Sequence, residues 1–390
     1  MSNLDIALLI VTGLVAISGF VEGFVLGACA TIGLVVGALV GIYGVPVVLG
    51  NFSPSVTVSF VALVLVIVLA AGGRTLGAFL GTKLRNQINW RPVRAIDALG
   101  GGVLAAVSVL VVAWVLGVAV SGARIPSVTS AVRGSKVLAK VDQIMPAGAD
   151  RALQAFNNVV NTDLFPRFLD PFVPERIRPV RPPDSTTSRL PAVQAAYSRV
   201  AKITGVASCS RGLEGSGFVY APQRVMTNAH VVAGVENPTV EVGGKKYEAT
   251  VVRYDPEVDV AVLYVPKLDA RPLNLDSSGK ADASAVVLGY PENGPFNATP
   301  ARIRSEERLR GPDIYGDKTV TREAFSIWAS VRPGNSGGPL LSAKGTVYGV
   351  VFAASVEDDR TGYVLTAAQV FADAQAGASA TQEVSTRGCT

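Results

Sequence analysis

Four long stretches without a charged side chain fill the first third of this chain, and no other feature restricts its fold so tightly. Ile6 to Val21, Phe24 to Leu49, Val56 to Gly73 and Ala98 to Ala123 contain no Asp, Glu, Lys or Arg. A helix needs about 20 apolar residues to cross a bilayer, where no water satisfies an open backbone. The expectation is an α-helical transmembrane bundle of four helices. The first stretch is short and parted from the second only by Glu22 and Gly23, so a re-entrant segment is the alternative. A cleavable signal peptide fits less well, because Asp5 and no Lys or Arg precede the apolar run.

Charge sets the orientation. Arg74, Lys83, Arg85, Arg91 and Arg94 lie between the third and fourth stretches, and the other short loops carry no Lys or Arg. Basic loops stay on the cytoplasmic side, which places the N-terminus and everything beyond residue 124 outside, on a multi-pass plasma-membrane protein. The net charge of +5 is then topological, and nucleic acid is not an expected partner. Gly33, Gly37 and Gly41, like Gly73, Gly77 and Gly81, recur every fourth residue and give flat faces for close helix packing. A homo-oligomer interface or a solute path is the alternative use. Glu22 and Arg74 are the charges nearest membrane depth, both at span ends, which argues against a path.

Residues 125–199 read as a connector after a membrane domain at 1–124. Ser127 to Val141 and Asp150 to Val160 have the pattern of short amphipathic helices. The stretch 166–191 is dense in proline and arginine, hence extended and accessible: a spacer, or a cleavage site that releases or activates the domain beyond it. From about Lys202 the pattern changes to short β-rich runs with turns between them, and Gly243-Gly244 marks a hairpin. Residues 200–390 therefore form an all-β domain of paired barrels or a sandwich. Thr366 and Gln369 set a capping box for a last helix through about Ala376.

Three pieces of this domain carry chemistry. His230, the sole histidine in the chain, follows an apolar strand, and an imidazole can take and return a proton near neutral pH. Asp259 interrupts an apolar run, and a buried carboxylate needs a donor such as an imidazole N–H. The rival Asp255 sits in an Asp-Pro-Glu turn, which explains it locally. Ser336 lies in Gly334-Asn335-Ser336-Gly337-Gly338-Pro339, where glycines expose the hydroxyl and aim the N–H groups of Gly334 and Ser336 at a developing oxyanion. The order His, Asp, Ser differs from that of subtilisins and α/β-hydrolases. With one histidine and three cysteines, a zinc site of the usual kind cannot be assembled, and neither metal nor cofactor is expected.

Gly215-Ser216-Gly217-Phe218-Val219, Thr227-Asn228-Ala229-His230-Val231-Val232, Asp259-Val260-Ala261-Val262-Leu263 and the Ser336 loop together resemble the trypsin/chymotrypsin superfamily, closest to the bacterial HtrA/Deg proteases. About fifty residues follow Ser336, too few for the PDZ module those enzymes carry. With the four spans in front, the whole chain resembles the CvpA-like membrane serine proteases of acid resistance. The resemblance implies an all-β chymotrypsin-like double β-barrel with a C-terminal helix, a triad of His230, Asp259 and Ser336, and protein or peptide substrates in the cell envelope. It implies processing of envelope proteins under acid or oxidative stress, with autocatalytic cleavage of the connector. By position, Ser330, Phe352, Ala353, Ala354 and Gly362 would line the pocket for the side chain before the scissile bond. None is acidic, which favours an apolar or medium-sized residue there. Phe352 also stands where animal enzymes place a serine beside the aspartate. In an oxidising compartment Cys209 and Cys389 favour a disulfide, with Cys29 only a small apolar residue. The competing reading is a non-enzymatic membrane scaffold or channel with a degenerate protease domain.

Overall fold

The computed structural model describes residues 1–49, 56–121, 126–145, 172–209 and 211–389. The chain divides into two compact units: residues 1–117 with 135–144, and residues 118–134 with 145–390.

In the first unit the four apolar stretches are helices α1 (Asn3–Glu22), α2 (Phe24–Leu49), α3 (Val56–Arg85) and α4 (Arg91–Ser121), each long and apolar enough to cross a membrane. Two of them outrun their uncharged cores. α3 continues twelve residues past Gly73, and α4 begins at Arg91, so the basic residues expected in a loop lie within helices, Arg74 well inside α3 and the others near the ends that meet. Helix does not stop where hydropathy stops: Leu76, Leu80 and Leu84 keep an i, i+4 ridge going. Gly23, at φ +82°, breaks α1 from α2. The first free N–H of α2, that of Val25, donates to Asp97 of α4 at 2.8 Å, and Arg85 Nε pairs with the same carboxylate at 2.9 Å. The α1–α2 break and the α3–α4 turn therefore lie at the same end of the bundle.

The glycine rows meet within the chain. A Cβ on Gly33 or Gly73 would overlap the backbone of the other, and Gly37, Gly77 and Gly81 meet the backbone of Leu69, Cys29 and Leu26 in the same way. Both faces are thus occupied by α2 on α3, where bare backbones give the closest approach. Asp5, wholly buried, accepts from Ser2 N–H in a capping box at the start of α1. The same carboxylate accepts from Ser135 Oγ at 2.6 Å and Val137 N–H at 3.2 Å, capping α6 (Lys136–Ile144). One carboxylate thereby satisfies the open donors of two helices.

The expected single amphipathic segment 127–141 is two short helices, α5 (Pro126–Arg133) and α6, parted at Gly134 and Ser135. The helix expected at Asp150 to Val160 lies outside the described residues.

The second unit contains thirteen strands among its described residues. β1 (Val200–Val206), β2 (Gly212–Ala221), β3 (Arg224–Thr227), β4 (Thr239–Val242), β5 (Lys245–Glu248), β6 (Thr250–Asp255) and β7 (Val260–Tyr264) form one antiparallel sheet in the order β5-β4-β1-β2-β3-β7-β6. β8 (Ser284–Gly289), β9 (Asn297–Pro312), β10 (Thr319–Trp328), β11 (Pro339–Ser342), β12 (Val347–Ala354) and β13 (Thr361–Thr366) close a barrel in the order β10-β13-β12-β11-β8-β9. This is the chymotrypsin-like double-barrel plan, with the first sheet curled and the second closed. Val219, Val225 and Leu263 fill the first core, Val287, Ile303 and Val364 the second.

Gly243 and Gly244 turn β4 into β5 at φ +58° and +78°, the left-handed pair a tight hairpin demands. The last helix runs Ala367–Gly377. Its capping box is half formed: Thr366 accepts from Gln369 N–H, but the Gln369 side chain turns away to accept from Glu323 N–H at 2.8 Å. A disulfide joins Cys209, just after β1, to Cys389 near the end of the chain.

Candidate active site

Pairing of β3 with β7 sets Thr227 opposite Ala261. The chain leaves β3 through Asn228 into a single 3-10 turn, Ala229–Val231. Ala229 and Val231 are buried in the cores, which turns His230 outward beside the residue just before β7. That residue is Asp259, fully buried, at φ +72°. Its left-handed backbone, tolerable for aspartate, is held by Asn228 Nδ2 donating to the Asp259 carbonyl at 2.8 Å and by the Asp259 N–H donating to the Asp255 carbonyl at 2.9 Å. The carboxylate grips His230 twice: Oδ1 accepts the His230 backbone N–H at 3.0 Å, and Oδ2 lies 2.8 Å from Nδ1. With Nδ1 as donor, Nε2 is the acceptor a general base needs. Asp255 does something different, capping the turn by accepting from the Glu257 and Val258 N–H groups at 2.9 Å each.

Ser336 belongs to the loop between β10 and β11, with only 3% of its surface exposed. Gly334 and Gly337 adopt φ +87° and +84°, and a Cβ on Gly337 would overlap the Ser216 carbonyl oxygen and Thr227 Oγ1. Thus the loop presses against β2 and against the end of β3, three residues before His230. The Ser336 carbonyl accepts from Ser216 N–H at 2.8 Å, and Gly215 lies between that carbonyl and the methyl groups of Val231.

The Pro333 carbonyl is tied by Glu292 N–H at 2.7 Å. Because a trans peptide points its N–H opposite to its C=O, the Gly334 N–H faces the other way. Among the described residues neither Gly334 N–H nor Ser336 N–H has an acceptor, the condition for receiving an oxyanion. Ser216 Oγ donates to the Gly334 carbonyl at 2.6 Å and accepts from Tyr290 N–H at 2.9 Å.

Of the residues expected to line a pocket, Ala354 pairs with Gly362 and Ala353 with Tyr363 across β12 and β13, and Ser330 is exposed. Phe352 differs from expectation: it exposes no surface, its side chain belonging to the core with Val350 and Tyr363. Val331, which the sequence reading passed over, packs against Gly362 so closely that a Cβ there would overlap it. Sequence reasoning quoted Ser216 and Asn228 only within motifs, without the roles they play here, and it passed over Glu292, for which there was no signal. Among the described residues no three His, Cys, Asp or Glu side chains gather as a metal site.

Residues 4–146 match the family model of the colicin V production protein, and residues 215–350 that of the trypsin-like peptidase domain. The chain is 44% identical over 390 residues to serine protease Rv3671c of Mycobacterium tuberculosis, covering 99% of this chain and 98% of that protein. It is 32% identical over 167 residues to the serine protease Do-like HtrA of Lactococcus lactis, covering 38% of this chain and 40% of the relative. The crystal structure of the Rv3671c protease from M. tuberculosis in its active form aligns at 52% identity with a TM-score of 0.54, covering 57% of this chain and 98% of that one.

Proposed function

This chain belongs to the membrane-anchored serine proteases that join a colicin V production protein region to a trypsin-like peptidase domain, and from that premise we propose that it is an endopeptidase working through His230, Asp259 and Ser336. The observation that carries the reading is the double hold of buried Asp259 on His230 beside the glycine-flanked serine loop. In this reading His230 Nε2 takes the Ser336 Oγ proton as Oγ attacks the scissile carbonyl. The Gly334 and Ser336 N–H groups receive the oxyanion. His230 then returns the proton to the leaving amine, and water repeats the sequence to free the acyl group. Asp259 stabilises the imidazolium that forms between the two transfers.

The pocket between Ser330, Ala353, Ala354, Gly362 and Val331 carries no acidic group, so small or medium apolar residues precede the scissile bond. We divide the chain by task into a membrane domain at 1–124, a connector at 125–199 and a protease domain at 200–390. Lys83, Arg85, Arg91 and Arg94, where α3 and α4 meet, orient the bundle with the protease on the extracytoplasmic side. The α1–α2 break shares that end through Asp97, which supports an external N-terminus. Envelope proteins are the substrates, with a role in acid and oxidative stress and self-cleavage in the connector.

The test is fluorophosphonate labelling and peptide cleavage by the wild type and Ser336→Ala. Loss of both is the expected outcome. Labelling that survives the substitution sinks the proposal.

A further inference from the structure

Within the proline- and arginine-rich segment, residues 174–184 form neither helix nor strand, and they are strapped to the protease domain. Arg304 Nη1 donates to the Arg178 carbonyl at 2.8 Å and Arg302 Nε to the Pro182 carbonyl at 3.1 Å. Upstream of these ties stands Glu175, whose side chain is 1% exposed. Its Oε1 accepts from Arg133 Nη1 at 3.1 Å and from Val356 N–H at 3.2 Å, and its Oε2 accepts from Tyr363 Oη at 2.7 Å. In return the Glu175 N–H donates to Glu357 Oε1 at 3.2 Å. Arg133 Nε donates to the Val173 carbonyl at 3.1 Å and lies 3.3 Å from Glu357 Oε1.

These contacts reach into the turn 355–360 that joins β12 to β13, and onto β13 itself. Val356 follows Ala354 by two residues, and Tyr363 follows Gly362 directly. One desolvated carboxylate therefore holds the turn and the first half of β13 in the hairpin that carries Ala353, Ala354 and Gly362. A buried acceptor with three donors is a stiff anchor, because without it the Tyr363 hydroxyl would lose its acceptor inside the fold.

We propose that Glu175, anchored by Arg133, is a positioning residue for substrate specificity: the connector fixes the β12–β13 hairpin and with it the shape of the pocket for the residue before the scissile bond. The proposal rests on the pocket assignment above. It makes the connector part of the enzyme's recognition apparatus as well as its tether. Glu175 touches no reacting atom, so its loss spares the serine's reactivity and loosens recognition.

The experiment uses the full chain in detergent micelles, as wild type, Glu175→Ala, Glu175→Gln and, as a control in the pocket itself, Ala354→Val. Each is assayed by the rate of fluorophosphonate labelling and by KM and kcat on peptide anilides varied before the scissile bond. For Glu175→Ala the expected result is labelling within about twofold of wild type, KM raised about tenfold, and discrimination between apolar residues of different size reduced by a similar factor. Glu175→Gln, which keeps an acceptor but loses the charge facing Arg133, falls between. Unchanged KM and preference in both variants overturns the proposal. So does labelling that falls in step with cleavage in Glu175→Gln, since that would mean general disruption of the site. An unchanged preference in Ala354→Val sinks the pocket assignment instead, independently of what Glu175 does.

Discussion

Asp259→Asn isolates the charge and the tautomer from everything else at the site. Asparagine tolerates the left-handed backbone at φ +72° as aspartate does, and the Asn228 contact to the residue 259 carbonyl survives. The new amide has two orientations. With its NH2 in the place of Oδ1, a donor faces the His230 N–H, now 3.0 Å from that oxygen. Leaving such a buried donor unpaired costs about 1–3 kcal/mol. With its NH2 in the place of Oδ2, it donates to Nδ1, now 2.8 Å away, and the imidazole proton moves to Nε2, where a base cannot accept. The backbone N–H of His230 thus selects the inactive tautomer by roughly five- to 150-fold at those costs. Loss of the negative charge beside the imidazolium adds to this, and the whole effect is about 10⁴-fold in kcat, or about 5.5 kcal/mol. Pre-steady-state acylation of a peptide ester measures it, with Ser336→Ala as the floor. A fall smaller than about fivefold, in a variant that unfolds at the wild-type temperature, refutes the reasoning.

Gly337→Ala, at φ +84° and facing Ser216 and Thr227, is expected to abolish labelling and lower stability by roughly 2 kcal/mol or more; normal labelling would contradict the packing described. Thiol titration of the unfolded, unreduced chain should find Cys29 alone reactive. Reduction of Cys209–Cys389, which closes a span of 180 residues, should cost up to about 5 kcal/mol by chain entropy. Hydrogen bonds from Ser278 and Thr346 hold the Asp276 carboxyl below its ordinary 3.8. A carboxyl lowered on folding stabilises above its unfolded pKa, and the gain is lost as pH falls through the folded value. The gap in unfolding temperature between wild type and Asp276→Asn should therefore be constant near neutrality and close below about pH 4; a gap that widens in acid would reverse the sign argued.

The four long apolar helices were legible because hydropathy over twenty residues leaves little choice, and the strands with apolar alternation were legible for the same reason. β9 was not: Arg302, Arg304, Glu306, Glu307, Arg308 and Arg310 look like a solvated segment. Their meaning depends on the strap carbonyls that Arg302 and Arg304 reach, a partner more than a hundred residues away. His230, Asp259 and Ser336 stood out because each breaks its local pattern. Asp255 could be set aside because its turn explained it. What stayed hidden was support that acts across the fold. Glu292 holds the Pro333 carbonyl with a backbone group, and no side-chain pattern records that. Arg133 and Glu175 meet over forty residues, each reading alone as surface charge. Gln369 had the right spacing for its cap, yet the backbone N–H at Glu323 outbid the helix end.

Ser216 lies in the first sheet, while Gly334 and Tyr290, the two groups its hydroxyl joins, belong to the second barrel. Neither half of the domain can therefore give the nucleophilic turn its working form in isolation. During synthesis the histidine and carboxylate emerge long before the serine, and the last stitch waits for both halves to meet. In the proposed mechanism the nucleophile's turn is therefore complete only once both barrels have folded together.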